Sequence, residues 1–181
     1  MNYVQPIRDK ELLEAIKKHL KEKNERNYML FNFGINTGLR ISDLLNFKKE
    51  DVFGKQQLVL VERKTKKRKF LPISKRLQVE LKRYCKDMEN GDYLFPSRQG
   101  VNQPVCRQRA YQMLRETAEE FGLEHIGTHT LRKTFGYHFY KKKKDVAILQ
   151  EIFNHSSPDI TLRYIGINQD SINEALSDFN L

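Results

Sequence analysis

Only one stretch of this chain reads as β-structure. Residues 57–73, QLVLVERKTKKRKFLPI, place Val- and Leu-rich runs on either side of a basic turn. The pattern predicts a hairpin of Gln57–Arg63 and Lys69–Ile73 around KTKKR. The turn lacks Asn-Gly, which leaves its geometry open. The remaining periodic segments repeat at helical spacing, without the strand–helix alternation of a parallel α/β fold. The expected class is therefore mainly α (α+β), a helical bundle with one small antiparallel sheet.

Residues 9–23, DKELLEAIKKHLKEK, carry apolar side chains at 12, 13, 16 and 20. That is one face of a helix, with Asp9 available as its N-cap. Residues 25–37, ERNYMLFNFGINT, are apolar on several sides, which predicts a buried helix stopped by Gly38. RISDLLNFKKEDV begins a short helix with Leu44 and Leu45 inward. Ser74 can cap KRLQVELKRYCKDM, and NGDYLFPSRQG is a loop by its Gly, Asp and Pro content. Residues 104–120 form a further amphipathic helix with Pro104 at its start. Helices follow at about 129–141, over VAILQEIFN, and at about 168–178. No internal repeat or low-complexity linker divides the 181 residues, so a single domain over 1–181 is expected.

Lys and Arg number 33 against 23 acidic residues, a net charge of +10. Such a surplus points to a polyanionic partner, nucleic acid before an anionic membrane, or to a protein that is simply basic. MNYVQPIRDKELLEA lacks the apolar segment of a signal peptide. No apolar run approaches the ~18 residues of a membrane span. Cys85 and Cys106 lie apart and form no CxxC, so a reducing, cytoplasmic (nucleoid-associated) setting is expected. The five histidines show no metal-ligand spacing with cysteines, and no cofactor is expected.

Five short pieces carry possible chemistry. TGLRISDLL holds Arg40 just past a helix-ending glycine, and VERKTKKRKFLP holds Lys64 at the hairpin tip. HTLR holds His129 and Arg132, FNHSS holds His155, and TLRYIG holds Tyr164. Each alone has a bland reading: a solvated arginine, an exposed turn lysine, a surface HxxR, a helix-capping histidine, a packed tyrosine. His129 and Arg132, three residues apart, share one helix face and suit a common anion.

In this order the pieces resemble the tyrosine recombinase (phage integrase) family, including the Xer and integron integrases. TGLRISDLL looks like its first arginine box, HTLRKTF like the second, and NHSSPDITLRYI like its histidine-to-tyrosine segment. The resemblance covers roughly residues 5–170. Thr65 follows the hairpin lysine where glycine is common, and Phe153-Asn154-His155 stands where Leu-Gly-His is usual. Neither change removes a reactive group. Family members usually carry a helical DNA-clamping domain ahead of the catalytic one. This chain begins almost at the catalytic domain and is expected to be that domain without the clamp.

The resemblance implies a site-specific DNA recombinase that works on double-stranded DNA without metal or ATP. Tyr164 would attack a phosphodiester and form a 3′-phosphotyrosyl bond. His129 would take its proton or bind the non-bridging oxygen. Arg40 and Arg132 would meet the charge of the phosphorane with planar, permanently protonated forks, and His155 would complete the cradle. Lys64 would protonate the leaving 5′ oxygen. Asp43 would orient one of these groups from behind, or is an ordinary helix-surface acid. Lys66, Lys67, Arg68, Lys141 and Lys142 are possible DNA backbone contacts; Lys141–Lys144 equally suit a solvated helix end. The C-terminal helix, 168–181, carries an apolar stripe of Ile172, Ala175, Leu176 and Phe179. In the family it docks on a neighbouring protomer, implying a homo-tetramer on DNA, but such a stripe can also pack on its own core. Two other functions share the residues: a non-catalytic DNA-binding regulator and a topoisomerase IB-like relaxing enzyme.

Overall fold

The first two helices meet at Asn24. The α1 helix (Lys10–Lys23) ends on it, and α2 (Glu25–Thr37) starts from it, its side chain accepting from the Asn27 amide. In this computed structural model, which describes residues 4–61 and 68–177, α1 is capped by Asp9 as expected. It buries Leu13, Ile16 and Leu20 along one stripe. The α2 helix buries residues around most of its girth, from Tyr28 to Gly34 and again at Thr37. A helix apolar on all sides belongs in the interior, and α2 lies in the main core.

RISDLLNFKKEDV forms two short helices rather than one, α3 (Ile41–Leu44) and α4 (Lys49–Val52). The chain between them pairs with the loop at 92–94 instead of continuing helical. The Phe47 carbonyl accepts from the Leu94 amide (2.8 Å), and the Lys49 amide donates to the Asp92 carbonyl (2.9 Å). The hairpin follows, with β1 (Gln57–Val61) antiparallel to β2 (Arg68–Pro72) and Leu58 opposite Leu71. The second strand runs one residue earlier than the expected Lys69–Ile73, and Glu62–Lys67, with Lys64, Lys66 and Lys67 among them, lie outside the described residues. One face buries Leu58 and Leu71; the other exposes Val59, Val61 and Phe70.

Ser74 caps α5 (Lys75–Tyr84), which stops short of the expected Met88. The α6 helix (Arg107–Glu120) starts later than expected: Pro104 bridges Pro96, and Cys106 is the N-cap. Then come α7 (Thr130–Lys143), α8 (Val146–Phe153), α9 (Pro158–Ile165) and α10 (Ile167–Ser177). The sequence reading left α9 out, although Ser157 followed by Pro158 is a helix start: the Ser157 hydroxyl accepts from the Ile160 amide, and Pro sits in the first turn. The described residues thus form the expected helical bundle with one two-stranded antiparallel sheet. Among them, no helix is long and apolar enough to cross a membrane.

The α7 helix joins two cores. Leu131 enters the main core beside α2, while Phe135 and Phe139 pack on a smaller cluster of Leu149, Phe153 and Ile165. Gly136 makes the second contact possible, because a Cβ there would sit 2.6 Å from Ile165 and 2.8 Å from Phe153. The α9 helix is thereby drawn against α7. The α10 helix is different: Ile172, Ala175 and Leu176 are exposed, so these residues of the stripe do not pack on the chain's own core, while Phe179 lies outside the described residues. It is tied to the body by Ile167, which packs on the smaller cluster, and by the Arg8–Asp170 ion pair at 2.9 Å.

Candidate active site

The first turn of α7 presents two of the expected groups. His129 is the N-cap residue, yet its side chain makes no capping bond; the Thr130 hydroxyl instead accepts from the Gly127 amide (3.0 Å). The imidazole is therefore free to face α9, where its Nδ1 lies 3.1 Å from the Tyr164 hydroxyl. Arg132, one turn on, is 4% exposed. It donates from Nη1 to the Gly38 carbonyl (2.6 Å) and from Nη2 to the Phe153 carbonyl (2.9 Å), and its guanidinium lies 4.1 Å from the Phe153 ring centroid. A guanidinium carries five N–H donors, so others remain for an anion.

These two bonds assemble the site. Gly38, left-handed at φ 64°, ends α2 and turns the chain to Arg40, the exposed N-cap residue of α3. Phe153 ends α8, and Asn154 turns the chain, also left-handed, to His155. Arg132 thus pins both turns that present its neighbours. His155 Nδ1 lies 3.1 Å from the Thr161 hydroxyl, which donates to the Ser157 carbonyl (3.2 Å), tying His155 to the first turns of α9. The Tyr164 ring sits edge-on to Phe153 and His155, with centroids 5.6 and 5.1 Å away.

The electrostatics follow from packing cations in a half-buried place. Burial pulls Arg132 down to about 10, with Tyr164 and Asp43 opposing and Arg40 adding to the fall. Burial lowers His129, assisted by Arg107, Arg132, Lys133 and Arg40. It also lowers His155, assisted by Arg132 and Arg40. Burial raises the Tyr164 phenol, while Arg132 and Arg40 pull it back down. The site gathers cationic side chains around a phenol hydrogen-bonded to an imidazole whose charged form burial disfavours.

The model of the Phage integrase family matches residues 6–170. The chain belongs to the phage integrase family, the tyrosine recombinases. It is 51% identical over 179 residues to "Probable integrase/recombinase YoeC" of Bacillus subtilis (strain 168), covering 99% of this chain and 98% of that protein. It is 31% identical over 175 residues to tyrosine recombinase XerA of Pyrococcus furiosus, covering 95% of this chain but only 59% of XerA. Among solved structures it is similar in fold to the XerH site-specific recombinase bound to palindromic difH substrate in a post-cleavage complex. That match has TM-score 0.74 and 21% identity, over 98% of this chain and 54% of that one.

Of the positions expected from the tyrosine recombinase pattern, the structure gathers Arg40, His129, Arg132, His155 and Tyr164. Lys64, Lys66 and Lys67 lie outside the described residues. Asp43 accepts from the Ser42 hydroxyl at 3.4 Å and acts on Arg132 through its charge. Arg68 is exposed on β2 and lines a groove of about 510 Å³ with Asn154 and His155. In that groove Lys69 donates to the Glu151 carbonyl and ties the hairpin to α8. Lys141 and Lys142 are exposed, but at the far end of α7, roughly 14 Å of helix rise beyond Arg132. The sequence reading passed over Lys133 and Arg107, both close enough to His129 to lower it.

The depressed histidines give a pH prediction. Their folded pKa values lie below the free value of 6.5, so the unfolded chain binds protons first as pH falls. Their contribution to stability is full above 6.5 and is lost as pH drops through the folded values. Urea midpoints should fall from about pH 7.5 to about pH 5.5, and a His129→Gln, His155→Gln double variant should lose part of that slope. An identical slope in the variant would mean that other groups set it.

Proposed function

We propose that the protein is a site-specific DNA recombinase in which Tyr164 is the nucleophile. The observation that carries this reading is the Tyr164 hydroxyl 3.1 Å from His129 Nδ1, with the Arg132 guanidinium alongside. An ordinary packed tyrosine has no need of a buried arginine and two histidines around it. The oxygen of Tyr164 attacks phosphorus and passes its proton toward His129; the bond to the 5′ oxygen breaks and leaves a 3′-phosphotyrosyl ester. Lys64, which the sequence places between the two strands, protonates the departing oxygen. Arg40 and Arg132 face the equatorial oxygens, where charge gathers, with His155 as a further donor and Asp43 as their counter-charge. A 5′-hydroxyl then reverses the chemistry on a new strand.

Double-stranded DNA is the partner, met by the +10 surface and by backbone contacts at Lys66, Lys67, Arg68 and Lys141–Lys142. Four copies assemble on it, each offering the exposed apolar face of α10 to a neighbour. The test is a nicked duplex that loses a short strand upon cleavage and so cannot be rejoined. A covalent protein–DNA adduct mapping to the Tyr164 peptide, within an assembly of four protomers by sedimentation, is expected. DNA binding without any adduct would leave a regulator that keeps the fold, and a single protomer that relaxes supercoils would indicate a topoisomerase-like enzyme.

A further inference from the structure

Lys133 is the residue of HTLRKTF that the reaction above leaves unused. It follows Arg132 on α7 and is 7% exposed, an unusual place for a lysine. Its Nζ donates to the Val4 carbonyl at 2.8 Å and lies 5.0 Å from the centroid of the Tyr164 ring. The carbonyl is a fixed point. The Gln5 amide donates to the His125 carbonyl (2.9 Å), and the Ile7 amide donates to the Thr134 hydroxyl (2.9 Å). The Ile7 carbonyl is bonded to His138 Nε2 at 2.9 Å. The N-terminal segment is thus laced along α7, and Lys133 runs from it to the phenol.

We propose that Lys133 is a positioning residue for the Tyr164 nucleophile, its ammonium held by the Val4 carbonyl against the phenol ring. The proposal rests on Tyr164 being the nucleophile. A cation within about 6 Å of an aromatic face is attracted to it, more so when both are out of water. Phe153 and His155 meet the ring edge-on, so the ammonium adds a contact of a different kind that resists rotation of the hydroxyl away from His129. As the phenol loses its proton the ring becomes richer in electrons, and the attraction grows. The contact is therefore stronger in the attacking form than in the resting one, which is the condition for it to accelerate the step.

Lys133→Gln keeps a donor for Val4 and loses the charge; Lys133→Arg keeps the charge. Adduct formation on the nicked duplex is followed across pH, with DNA affinity measured in parallel. The charged and titratable groups facing Tyr164 are His129 and Arg132 on α7, Arg40 ahead of α3 and His155 between α8 and α9, with Arg8 near Lys133. None of these residues is substituted in the variants, although loss of the Lys133 charge also raises His129, which Lys133 helps to hold down. Loss of one positive charge raises the phenol pKa, so Lys133→Gln should be roughly 10-fold slower near neutrality, the effect of one pKa unit. Its profile should be displaced to alkaline pH so that the defect narrows, with DNA affinity unaltered. Lys133→Arg should recover most of the rate. Should Lys133→Gln lower the unfolding temperature, Lys133→Met must show the same alkaline displacement. A defect uniform in pH, one matched by weaker DNA binding, or none at all overturns the proposal. Adduct persisting in Tyr164→Phe would instead remove the reading beneath it.

Discussion

Tyr164→Phe should abolish the covalent adduct on a nicked duplex and leave DNA affinity within about twofold, because the cations proposed to bind phosphate are untouched. The substitution removes one oxygen. The ring keeps its packing against Phe153 and His155 and the ammonium of Lys133 on its face. What disappears is the hydroxyl that faces His129. The stability change is small, because a hydrogen bond contributes about 1 kcal/mol and one of the hydroxyl's partners, His129, is exposed. Tyr137 is not placed to substitute: it is buried on α7, its phenol raised by burial and by Asp170. Gel mobility under denaturing conditions reads the adduct, and fluorescence anisotropy reads the affinity. An adduct of undiminished yield would move the nucleophile elsewhere, with Tyr140 the next to test.

The site was legible in the sequence to the extent that its chemistry is carried by reactive side chains in a fixed order. Arg40, His129, Arg132, His155 and Tyr164 can be picked out because rare groups recur at recognisable places. The supports of the site could not be read in this way. Arg132 is anchored by the carbonyls of Gly38 and Phe153, and every residue has a carbonyl. Lys133 looks like one more member of a basic chain until the fold sets it beneath a ring. The fold shows the same division. Asp9, Ser74 and Gly38 mark helix ends because their local chemistry dictates them. The break between α3 and α4 was hidden, since it arises from pairing with a loop more than forty residues later. The α9 helix is announced by Ser157-Pro158, but its eight residues are too few to show a clear helical period.

Arg132→Ala should slow adduct formation by roughly 10³- to 10⁵-fold, the range found when an arginine that stabilises phosphoryl-transfer charge is lost. The harder question is what it does to stability. Removing the guanidinium leaves the carbonyls of Gly38 and Phe153 unpaired, at about 1–3 kcal/mol each. Against this, burial has pulled Arg132 from 12.5 down to about 10, so holding its charge there costs about 3 kcal/mol at 1.36 kcal/mol per unit. The two effects are of similar size and opposite sign. The free protein should therefore unfold within several degrees of the parent, while activity collapses. On the proposed reaction, the cation is kept in the fold at little net gain because its partner is a phosphate that arrives with DNA. Duplex binding should accordingly raise the unfolding temperature of the parent more than that of the variant. Arg132→Lys separates charge from shape: an ammonium cannot hold two carbonyls and an anion in one plane, so its rate should fall between those of the parent and Arg132→Ala. The checks are single-turnover adduct formation and thermal unfolding with and without duplex. An Arg132→Ala protein that forms adduct at near the parental rate would remove Arg132 from the reaction. One already unfolded at the assay temperature would make Arg132 a structural residue whose loss says nothing of charge stabilisation.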